Sequence, residues 1–145
     1  MTKVFDLKWL AFFSRVLVGL LFGMAGYYKI FIQGPRGHAA QWFTVPYADS
    51  WIPHWLLLAT GVTVPFVEFT AGWLLVIGLF RRPAAVALGF VLALVTYGHA
   101  LKEPLFNVNS HIIPRFLLLV PVWILPVEAD PFSLDWLLKR RKTGS

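Results

Sequence analysis

Long apolar runs separated by short polar stretches dominate this chain. The runs cover residues 9–32, 55–80, 83–101 and 111–127. At about 1.5 Å rise per residue, a run of roughly 20 residues crosses the hydrocarbon core of a bilayer. The first run is too long for a signal peptide and has no small-residue cleavage site after it. The pattern predicts one all-α integral membrane domain over residues 1–145, a four-transmembrane-helix bundle.

The stretches between and after these runs are predicted to lie at the membrane surface. Residues 33–54 are too interrupted by glycine and proline to span a membrane and too aromatic to lie free in water. We expect them to form a loop on the membrane surface that covers one end of the bundle. Residues 131–138 predict a short interfacial C-terminal helix, with Asp130 or Ser133 as its cap. The basic tail 139–145 suits anionic headgroups.

Composition agrees with a membrane protein and excludes several other classes. The chain is 58% hydrophobic and 14% charged, with a mean hydropathy of +0.68. Its net charge of +6 would suggest nucleic acid in a soluble protein, but the basic residues lie at the ends of apolar runs, so no nucleic acid partner is expected. Without cysteine, a thiolate nucleophile and a Cys-ligated metal centre are both excluded. The lipid bilayer is the expected partner, and redox chemistry would need a bound molecule or another subunit.

The distribution of basic residues predicts the orientation in the cell membrane. If the amino terminus is cytoplasmic, the inner side carries most of them, and only Arg36 and Lys102 belong to the outer connections 33–54 and 102–110. The positive-inside rule therefore favours four spans with both termini in the cytoplasm.

Glu68 is a single carboxylate in the middle of the second apolar run. A charge at that depth costs about 2.5–3.5 kcal/mol, so it should face other helices and have a partner. Gly61 and Gly72 lie on the same helix face, which is therefore small enough for a neighbour to approach closely.

The first run carries a matching small face with a cation near each end. Gly19, Gly23 and Gly26 recur between Arg15 and Lys29 at spacings of three and four. We expect this face to pack on the Glu68 face, with Arg15 extending to Glu68 and Arg115 as the other candidate counter-ion. Alternatively, the two cations of the first run only extend to the membrane interfaces.

Three groups of residues resemble one known family. They are an Arg followed by glycines and a Lys in the first run, Glu68 with the sequence Gly78-Leu79-Phe80-Arg81-Arg82 in the second, and Ser133-Leu134-Asp135 after the fourth. In order and spacing they resemble the DoxX/DoxD family over nearly the whole chain. That resemblance implies a small four-helix membrane protein linked to quinone-dependent oxidoreductase systems, including a thiosulfate:quinone oxidoreductase subunit.

The polar residues near Glu68 are of the types that a quinone site needs. A flat headgroup with two carbonyls requires an apolar slot, a cationic or histidine donor, and a carboxylate that exchanges a proton. We take Glu68 and His99 as candidate catalytic residues, and the candidate ligand-binding residues are Arg15, Lys29, Tyr97 and Arg115. The alternative is that Glu68 pairs with an arginine only to hold the helices together.

A metal or haem site is not expected. Of the four histidines, no two share an i, i+4 face of one helix.

Two functional hypotheses follow: a quinone-linked oxidoreductase subunit with its site near Glu68, or a non-catalytic membrane anchor or assembly subunit of a larger complex. Both call for other membrane or redox subunits as partners. They differ in whether Glu68 faces an open pocket.

Overall fold

The structure, a computed structural model, describes residues 2–103 and 112–143, and each regular element in those two ranges is helical. The helices are α1 (Thr2–Tyr27), α2 (Pro35–Ala39), α3 (His54–Ile77), α4 (Arg81–Lys102), α5 (Ile112–Ile124) and α6 (Leu134–Thr143). Two wider π-helical turns follow α1 and α2, at Tyr28–Ile32 and Ala40–Thr44, and a 3-10 turn lies at Val127–Ala129.

Among the residues that the structure describes, three helical segments are long and apolar enough to cross a membrane. They are Leu7–Ile32, His54–Ile77 and Arg81–Lys102. The fourth apolar helix, α5, has 13 residues, which corresponds to about 20 Å of rise. The prediction of spanning helices is therefore confirmed for the first three runs, and a fourth span stays a prediction.

One hydrophobic core lies among α1, α3, α4 and α5. Val18 and Phe22 of α1 meet Leu75 of α3, Leu88 of α4 and Leu119 of α5, and all five side chains are buried. Because α1 packs on α3 and α5, while α4 also packs on α3 and α5, the four helices surround this core.

Glycines allow α1 and α3 to pack at very short range, as their shared faces predict. A methyl group added to Gly19 would lie 2.8 Å from the carbonyl oxygen of Gly72, and one added to Gly72 would lie 2.7 Å from Cα of Gly23. Since real methyl groups do not approach backbone this closely, these positions require glycine. The two helices run antiparallel, so Lys29 at the end of α1 reaches the level of Glu68 in α3.

The turn between α3 and α4 has a left-handed backbone at two positions. Gly78 has φ 74° and ends α3 three residues before the predicted end, while Leu79 donates its N–H to the carbonyl of Leu74 at 2.9 Å. This is the geometry of a glycine-terminated helix. Phe80 has φ 50°, a conformation that is unfavourable for a side-chain-bearing residue and is held by contacts with the chain segment after α5.

The elements at the carboxyl end differ in extent from the prediction. The fourth helix ends at Ile124 instead of residue 127, because Pro126 disfavours helical geometry in the residue before it. The interfacial helix α6 begins at Leu134, and Ser133 caps it by accepting the N–H of Trp136 at 3.3 Å. It continues to Thr143, so much of the predicted tail is helical. Most of the predicted outer connection 102–110 lies outside the described residues.

The segment 33–54 packs back on the helices that it connects. α2 lies against α3, and a methyl group on Gly61 would come within 2.7 Å of Ala39. The hydroxyl of Tyr47 donates a hydrogen bond to the carbonyl of Gly98 in α4 at 2.6 Å. The segment is therefore anchored to both α3 and α4 at the end of the molecule nearest Lys29.

Candidate functional site

Glu68 lies on the inner face of α3 with only 4% of its surface exposed. Its Oε2 atom accepts a hydrogen bond from Nζ of Lys29 at 2.5 Å. The predicted pairing of Glu68 with Arg15 is wrong: α1 and α3 are antiparallel, so Lys29, four turns beyond Arg15, reaches the carboxylate.

A cavity of about 260 Å³ opens beside this ion pair. Its polar walls come from four side chains, and its apolar walls come mainly from α1 and α4. The lining residues are Phe22, Ala25, Lys29, Glu68, Val91, Leu92, Val95, His99, Ile112 and Arg115. The cavity is therefore an apolar slot whose lining includes four polar side chains.

Arg115 and His99 are the other two polar residues that line the cavity. The guanidinium carbon of Arg115 lies 5.7 Å from the ring centre of Phe22, within the range of a cation–π contact. Nδ1 of His99 lies 2.8 Å from the carbonyl oxygen of Val95. Since a carbonyl only accepts, Nδ1 carries a hydrogen, and in the neutral ring Nε2 is the nitrogen that can take up a proton.

The structure brings four of the six predicted site residues together. Glu68, His99, Lys29 and Arg115 line the same cavity, although they come from α3, α4, the π-helical turn after α1, and α5. Tyr97 lies on an exposed face of α4, with 53% of its surface accessible, and is not among the lining residues.

Arg15, the sixth predicted residue, belongs to a separate network at the opposite end of α1. Its Nε donates to Oδ2 of Asp130 at 2.6 Å, and its Nη1 donates to the carbonyl oxygens of Leu75 and Val76 at 2.5 and 2.6 Å. Nη1 of Arg81 donates to the same Asp130 oxygen at 3.2 Å. All three charged side chains are at most 2% exposed.

The segment that carries Asp130 also completes the α3–α4 turn. Both carboxylate oxygens of Asp135 accept backbone N–H groups, from Phe80 at 3.0 Å and from Arg81 at 2.9 Å. In return, the N–H of Asp135 donates to the carbonyl of Gly78 at 3.0 Å. The carboxylate therefore caps the beginning of α4 from another part of the chain, where it also favours the positive end of the helix dipole.

His38 in α2 is a second unpredicted feature near Lys29. The ring is 3% exposed, lies 5.7 Å from the ring of Phe43, and has no hydrogen-bond partner on either nitrogen within the described part of the chain. Burial, together with the positive charge of Lys29, lowers the pKa of His38 from 6.5 to about 4. The ring is therefore neutral near pH 7.

Sequence reasoning missed Asp130 as the partner of two arginines and His38 as a buried residue near Lys29. Asp130 was considered only as a helix cap, and it is 115 positions from Arg15. The available signal was the presence of two arginines, Arg15 and Arg81, at the same end of neighbouring helices. Two cations at one level predict a nearby carboxylate, and Asp130 follows the last apolar run at that level.

The site offers acid–base and anion-binding chemistry rather than a ligand set for a metal. Within the ranges 2–103 and 112–143, no three histidine, aspartate or glutamate side chains are arranged to hold a metal ion. Lys29 and Arg115 offer hydrogen-bond donors only, whereas Glu68 and His99 can each gain or lose a proton.

Comparison with known proteins places the chain in a family. Neither curated proteins nor solved structures give a match. The DoxX family model matches residues 10–100, a range that contains Arg15, Lys29, Glu68 and His99 and leaves out Arg115. Together with the three apolar helices that can span a bilayer, this match over more than half of the chain shows a multi-pass membrane protein that belongs to the DoxX family.

Proposed function

We propose that this DoxX protein is the quinone-reactive subunit of a membrane oxidoreductase system, with its site in the cavity beside Glu68. The observation that carries the proposal is the convergence of a carboxylate, a histidine and two cations on one apolar cavity, from four different helices. A helix-packing role alone does not require a cavity at that point.

The size and walls of the cavity suit one small ring. Small-molecule sites usually have volumes of about 300–1,000 Å³, so a cavity of about 260 Å³ is at the lower limit and suits a single-ring headgroup. The apolar side chains of Val91, Leu92 and Val95 would contact the faces of such a ring, and an isoprenoid tail would extend into lipid.

Each polar residue has a role that follows from its chemistry. Lys29 and Arg115 donate hydrogen bonds to a carbonyl oxygen or to its anion. Glu68 and His99 hold and transfer protons, and Nε2 of His99 is the atom that exchanges them. Reduction of a quinone to a quinol takes two electrons and two protons. The chain has no cysteine to ligate a cluster, and in this proposal the two electrons are supplied by a redox-active partner subunit.

We further propose that both termini are cytoplasmic, from the distribution of basic residues. The cavity then lies toward the outer side, and the Arg15–Asp130–Arg81 network lies toward the cytoplasm. Labelling of a cysteine introduced at Arg36, which is exposed, tests this orientation. We expect this cysteine to react with a membrane-impermeant reagent added outside intact cells. If it reacts only after the cells are lysed, the orientation is the opposite of the one proposed.

A second candidate function is a non-catalytic anchor or assembly subunit. The observation that favours it is the ion pair at 2.5 Å, because Lys29 already neutralises Glu68 without any ligand. Buried or half-buried pairs of this kind are often structural.

Replacing one carboxylate at a time separates the two functions. Glu68→Gln keeps the shape of the side chain and removes its charge. Glu128→Gln is the matched control, because Glu128 pairs with Lys139 on an exposed surface away from the cavity. Both variants are assembled into the intact complex, and quinone reduction and subunit composition are measured. General acid–base residues typically contribute about 10²–10⁴-fold to rate, so Glu68→Gln should slow reduction by roughly 100-fold while Glu128→Gln does not.

The outcome distinguishes the candidates. Normal assembly with slow turnover in Glu68→Gln and His99→Ala supports the quinone site. Normal assembly with unchanged turnover in both variants excludes it and leaves the anchor.

A further inference from the structure

The helix α6 is amphipathic and, after its first turn, exposed. Leu134, Leu137 and Leu138 recur at spacings of three and four, so they share one face of the helix. Each is 39–48% exposed, and every residue from 137 to 142 is exposed. With 10 residues, α6 is shorter than the roughly 12–15 that an isolated helix needs to be even marginally stable in water. Its first turn is held by Asp135 and Ser133, and its exposed leucine face is available to a further surface.

The start of α6 is fixed at the level where the long helices end. Asp135 binds the backbone of the α3–α4 turn, and Phe132, two residues before α6, lies 5.5 Å from the ring of Trp9 in a stacked arrangement. Tryptophan side chains concentrate where the hydrocarbon of a bilayer meets its headgroups. The contacts of Asp135 and Phe132 therefore hold the leucine face at the depth of the membrane interface.

The charges on α6 complement an anionic surface. Four consecutive basic residues follow the leucines, Lys139 to Lys142. Lys139 pairs with Glu128, and Arg140 lies over the ring of Trp136 at 5.3 Å, so these two already have contacts within the protein. Arg141 and Lys142 lie one turn beyond Leu137 and Leu138 on the same side of α6, and both are exposed. Long basic side chains beside an apolar face can reach headgroups while the leucines contact acyl chains.

We propose that the leucine face of α6, with Arg141 and Lys142, binds the surface of an anionic lipid bilayer. The occupant is the leaflet on the side where α1 begins and α3 ends, and the recognised chemistry is the lipid phosphate with a net negative headgroup. Binding there also holds Asp135 against the α3–α4 turn and Asp130 against its arginines, because Asp135 is in the first turn of α6 and Asp130 lies on the segment that leads into it.

The test uses the full chain in lipid nanodiscs of two compositions, phosphatidylcholine alone and phosphatidylcholine with phosphatidylglycerol. Amide hydrogen exchange is measured over α6. We expect exchange to be roughly tenfold slower in the anionic discs, because each basic side chain near an anionic leaflet adds to the attraction. Raising the salt concentration should reduce that difference.

Two double variants decide between lipid charge and other causes. Arg141→Gln with Lys142→Gln should abolish the difference between the two lipids. Arg36→Gln with Lys102→Gln removes the same charge at the opposite end of the molecule and should leave the difference intact. Equal exchange of the unaltered protein in both lipids would overturn the proposal, as would a difference that survives in the Arg141→Gln, Lys142→Gln variant.

Discussion

At each end of the protein, two cations and one carboxylate form a cluster, and the surroundings of the two clusters differ. Arg15, Arg81 and Asp130 are almost fully buried, and both arginines also donate to backbone carbonyls. Lys29, Arg115 and Glu68 line a cavity, and Lys29 keeps 25% of its side chain exposed. The same charges therefore stabilise the fold where backbone groups surround them, and remain available to a ligand where a cavity adjoins them.

The largest difference in stability is expected at the buried carboxylate. Asp130→Asn leaves Arg15 and Arg81 buried without an anion, and breaking such a pair costs about 3–5 kcal/mol. We expect a large fall in the free energy of unfolding, measured by thermal or denaturant unfolding in detergent. Glu128→Gln is the control, because its partner Lys139 is exposed, and it should change stability little. Similar unfolding of the two variants would show that the buried network does not stabilise the protein.

The next largest effect is expected at the α1–α3 contact, which joins the two ends. Gly72→Ala places a methyl group 2.7 Å from Cα of Gly23, so the helices must separate. Overpacking of this kind costs about 1–3 kcal/mol. Gly37→Ala is the matched control, because no atom lies within 4 Å of the added methyl group. An unchanged melting temperature for Gly72→Ala would mean that the close approach of α1 and α3 is not needed.

A smaller effect is expected at the pair beside the cavity. Lys29→Met removes the partner of Glu68, and we expect a loss of about 1–3 kcal/mol from the unsatisfied carboxylate. The loss should be smaller than that of Asp130→Asn, because the cavity and Arg115 remain. In a double-mutant cycle with Glu68→Gln, a coupling of about 0.5–3 kcal/mol is expected for residues in contact. A coupling of zero would show that the pair does not contribute to stability.

At the same end of the protein, lowering the pH should weaken the packing of α2 on α3 because His38 becomes protonated when α2 separates from α3. Because the pKa of His38 in the folded protein is about 4, below the 6.5 of an unfolded chain, the unfolded state binds more protons in the window between them. The packing of α2 on α3 should therefore weaken as pH falls from 6.5 toward 4, and remain unaffected above that window. Hydrogen exchange over α2 measures it. His38→Phe should remove the pH dependence, and an unchanged dependence in that variant would assign it to another group.

The smallest effect is expected for Tyr47→Phe. The variant loses one hydrogen bond to the carbonyl of Gly98, which typically contributes about 0.5–1.5 kcal/mol. Compared with the unaltered protein, amide hydrogen exchange should be faster in the segment 33–54 and unchanged in α6, which lies at the opposite end of the molecule. Faster exchange in both places would show that the two ends are more tightly coupled than their separate contacts indicate.

Helices and their faces were predictable from the sequence because their information is local. Gly19, Gly23 and Gly72 mark the α1–α3 contact by spacing alone, and Glu68 was recognisable as a buried residue with a charged partner because a charge in an apolar run is costly. Partner choice was not predictable in the same way. Whether Arg15 meets Glu68 or Asp130 depends on how far two antiparallel helices overlap, and spacing within one helix does not determine that overlap.

The burial of His38 could not be predicted from the sequence for a related reason. Its segment is rich in glycine, proline and aromatic residues, which predict a loop at the interface and not which side chain points inward. The ring is buried because α2 packs on the small surface at Gly61, a contact between segments more than 20 positions apart.

The capping of α4 by Asp135 has a consequence for biosynthesis. Ribosomes make the chain from its amino end, so α1, α3 and α4 are complete before Asp130 and Asp135 exist. During that interval Arg15 and Arg81 lack their carboxylate, and the N–H groups of Phe80 and Arg81 lack their acceptor. We expect the nascent α3–α4 hairpin to keep these groups at the wet edge of the membrane until the last residues emerge. A ribosome-stalled chain that ends before residue 130 should then expose a cysteine placed at Arg81 to aqueous reagents. A chain extended until residue 135 has left the ribosome should protect it, because position 81 is 2% exposed in the folded protein.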